Sequence, residues 1–214
     1  MTAVDQFKAD PLTFLQSNLL LVPFTDIAQD RMDDAPIDLV FYSLPPKDAV
    51  ASKLGTPLGL YFLTRKGAVY NNQAVVDGDI KAYFCPFEAN NTLGTFVGAK
   101  SSYFFTTAMD GCTVGIGSAG SDGSRMIYHS NLAKYGEGGQ ATAQAETLKL
   151  VLGASLEKLY EPADYRKELG VDSLLSTTFG IRAANAWKFY SQTYTTSPST
   201  GVKKYFLREV KTVL

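Results

Sequence analysis

The stretch SSYFFTTAMDGCTVGIGSAGSDGSRMIYHSN, from Ser101 to Asn131, carries the densest β-strand signal of the chain. Three runs rich in aromatic and β-branched residues, 101–109, 112–118 and 124–131, are separated by an Asp-Gly turn signal and by a glycine-rich segment. Such residues fit a pleated surface, and Asp-Gly and glycine-rich segments let the chain reverse direction. The stretch therefore predicts three adjoining strands, the last two joined as a hairpin.

The flanking sequence also predicts more strand than helix. Further strands are predicted at 37–44, 57–65, 69–76 and 80–87 and in the tail at 178–183, 187–196 and 203–213, with turns at 77–79 and 197–201. Helices are predicted at 5–17, 140–160 and 164–169. Because the strands cluster rather than alternate with helices, we expect an α+β fold with a β-sandwich-like mixed sheet core and helices packed outside. The length favours a single domain over residues 1–214.

Composition limits the classes of function. The 214 residues carry a formal net charge of −1, so they show no basic patch of the kind that binds nucleic acid. The apolar run Leu19 to Phe24 is too short to span a membrane, and the N-terminus lacks a secretory signal. We therefore expect a protein of a reducing cytosol, either that of the producing cell or that of a cell into which it is delivered. Two scattered cysteines and one histidine predict no disulfide framework, no metal site and no cofactor.

Cys112 and His129 form the candidate site. His129 is the single histidine of the chain, and an imidazole is the side chain whose ordinary pKa suits a general base near neutral pH. Cys112 begins the first strand of the predicted hairpin and His129 nearly ends the second, so the hairpin brings them side by side. Loss of the thiol proton to His129 would leave a thiolate, the form of cysteine that attacks carbon.

Neighbouring residues suggest supporting roles. Gly111 allows a positive φ just before Cys112, which would turn backbone N–H groups toward a developing oxyanion. Thr106 lies near the end of the preceding strand, six positions before Cys112, and its hydroxyl or carbonyl would accept the second imidazole proton and fix the tautomer. Asp110 disfavours a thiolate at Cys112 unless its side chain points away. The alternative is a buried, inert cysteine beside an unrelated strand histidine.

The segments YFFTTAMDGCTVGIG (Tyr103 to Gly117) and RMIYHSN (Arg125 to Asn131) resemble the active-site region of the bacterial toxin glutamine deamidases, which include the cytotoxic necrotizing factor catalytic domain and the Burkholderia lethal factor. The chemoreceptor glutamine deamidases have a similar Thr, Cys, His arrangement. The resemblance implies a sheet core with surrounding helices, Cys112 as nucleophile, His129 as base and Thr106 as the third member. The similar region covers about thirty residues, with Met109-Asp110 where Leu-Ser is usual.

The resemblance implies hydrolysis of a glutamine side-chain amide in a host protein, such as a small GTPase or a translation factor, without a cofactor. Two alternatives remain open at this point. One is a chemotaxis-type deamidase of the producing cell's own receptors. The other is a non-catalytic β-sandwich binding module with a degenerate Cys/His site.

Overall fold

The computed structural model of the chain describes residues 1–23, 35–44, 49–53, 56–67, 75–166, 174–197 and 203–214. Within these residues the chain forms thirteen strands and four α-helices. The strands are β1 Asn18–Leu21, β2 Ile37–Ser43, β3 Ala49–Lys53, β4 Thr56–Arg65, β5 Val75–Cys85, β6 Thr92–Val97, β7 Tyr103–Thr106, β8 Thr113–Gly117, β9 Arg125–Ser130, β10 Leu156–Tyr160, β11 Leu174–Ala183, β12 Ala186–Ser197 and β13 Lys203–Thr212. The helices are α1 Ala3–Ala9, α2 Pro11–Ser17, α3 Gly136–Leu152 and α4 Pro162–Tyr165.

Nine strands form one large mixed sheet in the order β1-β4-β2-β5-β7-β11-β12-β13-β3. Most pairs are antiparallel, whereas β1–β4, β5–β7 and β3–β13 are parallel. The sheet also curls back on itself, because β3 pairs with β13 and, through Ala51 opposite Leu58, with β4. Phe105 and Phe179 of two central strands join a hydrophobic cluster with Phe7 and Phe14 of the N-terminal helices.

The second sheet has four strands in the order β10-β8-β9-β6. Val114, Ile116 and Ile127 of this sheet share one hydrophobic cluster with Tyr83 and Phe104 of the large sheet. The two sheets therefore pack against each other through this cluster, which confirms the predicted α+β class with a sheet core.

The fold differs from the sequence prediction at the second helix. Residues 156–160, rich in Leu, Glu and Lys, belong to β10 rather than to a helix. α3 ends at Leu152 because Gly153 takes a φ of +54°, and Leu159 then pairs with Gly115 of β8. Pairing with β8 at the edge of the small sheet thus outweighs the helix propensity of this segment.

Two other segments also differ. The predicted turn at 77–79 lies inside β5, where the β2–β5 register shifts and Gly78 takes a φ of +132°. A bulge needs the same residue types as a turn, so the local sequence does not distinguish them.

The N-terminal helix is divided at Pro11, with Asp10 capping α2 by accepting from the Thr13 amide. Most of the strand predicted at 69–76 and of the turn predicted at 197–201 lies outside the described residues.

The N-terminal segment is fixed to the far end of the chain by a buried amide. Gln192 of β12 donates through Nε2 to the carbonyls of Leu15 and Asn18, at 2.7 Å each, and accepts from the Leu20 amide at 3.0 Å. No helix in the described ranges is both long and apolar enough to cross a membrane.

Candidate active site

The register of β8 and β9 determines the geometry of the site. Val114 lies opposite His129, and Thr113 lies opposite Ser130. Because side chains alternate along a strand, Cys112, two residues before Val114, lies on the same face as His129 at the adjacent diagonal position. Gly115 and Thr113 face the other way, where Gly115 leaves room for Leu148 of α3. The hairpin predicted from the sequence thus brings Cys112 and His129 to neighbouring positions on the core side of the small sheet.

His129 is buried, with 2% of its surface exposed. Its Nδ1 lies 3.4 Å from the hydroxyl oxygen of Thr107, and its ring packs against Phe87 with the centroids 5.7 Å apart. Nε2 has no hydrogen-bond partner among the described residues. The imidazole nitrogen that a general base would use is therefore buried and unpaired, and it does not hydrogen-bond the Cys112 thiol in this structure.

Thr106 is placed differently from the expected third member. Its hydroxyl donates to the carbonyls of Thr107 and Thr178, at 3.0 and 3.4 Å, and accepts from the Thr178 amide at 3.2 Å. The hydroxyl that approaches the imidazole belongs to Thr107, one position later. Thr106 ties the end of β7 to β11, and Thr107 takes the position beside Nδ1 that the sequence assigned to Thr106.

The Cys112 sulfur contacts an amide that the sequence analysis did not single out. Asn131 donates through Nδ2 to Sγ at 3.2 Å. Asn131 lies two residues after His129, so strand alternation places it on the same face, and that spacing is a signal from which it could have been found. A hydrogen bond from the Asp110 backbone also acts on the sulfur.

The turn before Cys112 is held from two sides. Gly111 has a φ of +85°, as the sequence predicts, and its amide donates to the Tyr165 hydroxyl at 2.9 Å. The same hydroxyl donates to the Cys112 carbonyl at 2.9 Å. Gln140 and Gln144 of α3 donate to the Gly111 carbonyl at 2.9 and 3.2 Å. The Gly111 amide, expected as an oxyanion donor, is therefore already occupied by a phenol.

The Asp110 side chain is bound to a cation. Its carboxylate forms an ion pair with Arg166, and both side chains are about half exposed. The Asp110 charge raises the pKa of Cys112 and the Arg166 charge lowers it, and both effects are smaller than that of burial. The effect of the Asp110 charge on Cys112 is thus partly offset by Arg166, and the Asp110 effect is the larger of the two.

Burial dominates the electrostatics of the pair. It raises the pKa of Cys112 to about 11, while the Asn131 hydrogen bond acts in the opposite direction. Burial also lowers the pKa of His129 to about 4. Both side chains are therefore neutral at pH 7 in the resting structure, as a thiol and an uncharged imidazole.

Cys85, the second cysteine, is fully buried, and its thiol donates to the Leu93 carbonyl at 3.5 Å. Burial raises its pKa to about 12, so Cys85 is a protonated thiol of the core. In the part of the chain that the structure describes, no three His, Cys, Asp or Glu side chains meet in a way that could hold a metal ion.

Tyr165 also lines a cavity of about 320 Å³. The rest of the lining is mostly polar and charged: Asp164, Leu174, Thr193, Arg208, Glu209 and Lys211. Tyr165 therefore contacts both this cavity and, through its hydroxyl, the backbone of Cys112.

Comparison with known proteins finds several similar solved structures, one of which can be set beside this geometry. It is the C-terminal domain of CNFy from Yersinia pseudotuberculosis, at 9% sequence identity and a TM-score of 0.43, with 98% of this chain and 96% of that chain covered. No protein-family model matches the chain, and no curated protein matches it. A likeness at this identity and TM-score establishes neither a shared activity nor shared site residues.

Proposed function

We propose that the chain is a cysteine-dependent protein glutamine deamidase that converts a glutamine of a host protein to glutamate and releases ammonia, acting as a bacterial toxin or effector delivered into the host cytosol. The observation that carries the proposal is the register of the β8–β9 hairpin, in which Val114, two residues after Cys112, lies opposite His129, together with a His129 Nε2 that has no hydrogen-bond partner among the described residues. The motif around these residues, which resembles that of the toxin glutamine deamidases, supplies the reaction and the class of substrate.

The first half of the reaction uses the thiol and the imidazole. His129 Nε2 takes the Cys112 proton as Sγ forms a bond to the carbonyl carbon of the glutamine side chain. The oxyanion collapses, the carbon–nitrogen bond breaks, and His129 returns the proton to the departing ammonia. The Thr107 hydroxyl, beside Nδ1, holds the imidazole in the tautomer that leaves Nε2 free as a base.

The second half hydrolyses the thioester. His129 removes a proton from water, the new carbon–oxygen bond replaces the carbon–sulfur bond, and the thiolate recovers the proton. The product is a glutamate, which adds a negative charge where the target had a neutral amide. Such a charge can inactivate a catalytic glutamine or disrupt an interface in the target.

Burial sets the order of the first events. The pKa of Cys112, raised to about 11, and that of His129, lowered to about 4, keep the resting pair neutral. In this proposal the proton leaves Cys112 as the sulfur attacks, not before the substrate arrives. Since Cys112 is 1% exposed, a glutamine borne on a protein reaches it only after the covering side chains move.

The test compares the wild-type protein, Cys112→Ser and Cys85→Ser in a eukaryotic lysate by tryptic peptide mapping. Cys85→Ser is the matched control, because it makes the same change in a second buried thiol of the same hydrophobic cluster. We expect one glutamine to become glutamate with the wild type and with Cys85→Ser, and no change with Cys112→Ser. Equal conversion by Cys112→Ser would refute the proposal.

A second candidate follows from the burial of the site. A neutral, enclosed thiol and imidazole also fit a binding module with a degenerate Cys/His site. The rate of alkylation of Cys112 separates the two functions, because an inert core cysteine reacts as slowly as Cys85 whereas a nucleophile reacts faster. Deamidation of the producing cell's receptors, with host lysate unchanged, would instead favour the chemotaxis-type function.

A further inference from the structure

We infer that Asn131 is a further catalytic residue of the site, whose side-chain amide donates to the Cys112 sulfur and then to the oxyanion formed on the substrate. This inference rests on the proposed deamidase function for its second step. Its first step concerns the Cys112 sulfur alone, so it can be tested without a substrate.

The orientation of the Asn131 amide is determined by its other contacts. Oδ1 accepts from the backbone amides of Asn90 and Ala133, each at 3.3 Å. These two donors require an oxygen at that position, so the NH₂ end necessarily faces the Cys112 sulfur at 3.2 Å. The backbone amide of Asn131 also donates to the Asn91 carbonyl at 2.9 Å, which fixes the residue at the end of β9.

A fixed N–H donor on sulfur favours the thiolate, because hydrogen bonds to a charged acceptor are stronger than those to a neutral one. Burial raises the pKa of Cys112, and the Asn131 hydrogen bond is the largest of the effects that lower it. The titratable side chains around this sulfur include His129, Tyr165, Asp110 and Arg166. None of these donates a hydrogen bond to Sγ in the described part of the chain, so Asn131 is the side chain that acts on the sulfur directly.

The same amide suits the oxyanion. The Gly111 amide, the donor expected from the sequence, is bound to the Tyr165 hydroxyl. When Sγ bonds to the glutamine carbon, the carbonyl oxygen develops a negative charge beside the sulfur, within reach of a donor that already contacts Sγ. A buried, preoriented donor of this kind stabilises a tetrahedral intermediate strongly.

The experiment measures the rate of Cys112 alkylation by iodoacetamide against pH, by mass spectrometry of the Cys112 peptide. Asn131→Asp keeps the oxygen that accepts from Asn90 and Ala133 but replaces the donor with an anionic oxygen. We expect the midpoint to move to higher pH and the rate below it to fall about tenfold or more, with the plateau at high pH unchanged. Asn91→Asp, the same change at an exposed neighbour, should leave the profile unchanged. An Asn131→Asp profile that overlays the wild type would overturn the inference.

Two further measurements complete the test. If Asn131→Asp does not fold, the side-chain amide proton of Asn131 in the wild type is followed by NMR, and its resonance should move when Cys112 is ionised. With the glutamine identified by the lysate experiment, Asn131→Asp should lower kcat more than it changes KM. A shifted thiol profile with an unchanged kcat overturns the oxyanion role, whereas a shifted profile in a protein that deamidates nothing leaves the sulfur contact valid and refutes the proposed function.

Discussion

The Tyr165 hydroxyl oxygen lies 2.9 Å from the backbone nitrogen of Gly111. It also donates to the Cys112 carbonyl at 2.9 Å, so one phenol binds both the Gly111 N–H and the Cys112 C=O. α4 ends at Tyr165, and Arg166 directly after it pairs with Asp110. The turn at Gly111 and Cys112 is thus held by a segment more than fifty residues away in the sequence.

Removing this hydroxyl should weaken the fold without leaving a large cavity. In Tyr165→Phe, the Gly111 amide and the Cys112 carbonyl lose their partner in a buried place, which costs about 1–3 kcal/mol of the free energy of unfolding. Denaturant unfolding measures this loss. Tyr190→Phe is the matched control, since that half-buried ring stacks on Phe179 at the edge of another cluster. An equal loss in both variants would show that the phenol bridge contributes nothing specific.

Replacing Gly111 of the turn before Cys112 should also lower the free energy of unfolding. Gly111 has a φ of +85°, and an added Cβ would lie 3.3 Å from Arg166 Nη2, so Gly111→Ala should lower the free energy of unfolding by about 1–2 kcal/mol. Gly138, in the exposed first turns of α3, has open space around the position of a Cβ. Gly138→Ala should raise the stability by about 0.5–1 kcal/mol. Opposite signs in parallel thermal denaturations are the expected result.

The ion pair between Asp110 and Arg166 should affect the reactivity of the Cys112 thiol. Arg166→Gln removes the charge that offsets Asp110, so the pKa of Cys112 should rise and alkylation below that pKa should slow about two- to fivefold. Adding Asp110→Asn should restore the rate, because no uncompensated carboxylate then remains. High salt should reduce the effect of the single change. If the double variant is alkylated as slowly as Arg166→Gln, the charge of Asp110 is not the cause of the slower alkylation.

Stability should fall as the pH drops through the range in which free histidine gains a proton. The pKa of His129 is about 4 in the folded chain and 6.5 in the absence of burial. The unfolded state therefore binds more protons between these values, so the contribution is complete above pH 6.5 and is lost toward pH 4, by roughly 3 kcal/mol. Denaturant unfolding at pH 7 and pH 4.5 should show a smaller pH-dependent loss for His129→Gln than for the wild type. Equal losses would mean that the imidazole is not buried in its neutral form.

The β8–β9 hairpin could be predicted from the sequence because the features that specify it lie within a short stretch of the chain. Strand periodicity and the turn signals between Cys112 and His129 predict two neighbouring strands with both residues at the same end, whereas the face that each side chain occupies follows from the register. The choice between Thr106 and Thr107 was not predictable in this way, since β7 belongs to the large sheet and the local sequence does not show how the two sheets pack. The Tyr165 contact was also unpredictable, because it depends on how distant elements pack.

The two sheets show the same division. The aromatic strands of the large sheet were predicted from composition and alternation. β10 of the small sheet was predicted as helix, because Leu, Glu and Lys favour a helix and only the pairing with β8 favours a strand. β3 carries too weak a pattern to be predicted, yet it pairs with both β13 and β4.

This double pairing of β3 has a consequence for the speed of folding. Lys203 of β13 lies beside Ala49 of β3, so the closing contact joins residues about 150 positions apart in the sequence. The β8–β9 hairpin, by contrast, needs only a short loop to form. Because closing a long loop delays native contacts, we expect the Cys112–His129 hairpin to form early during refolding and the union of the two ends of the large sheet to limit the rate.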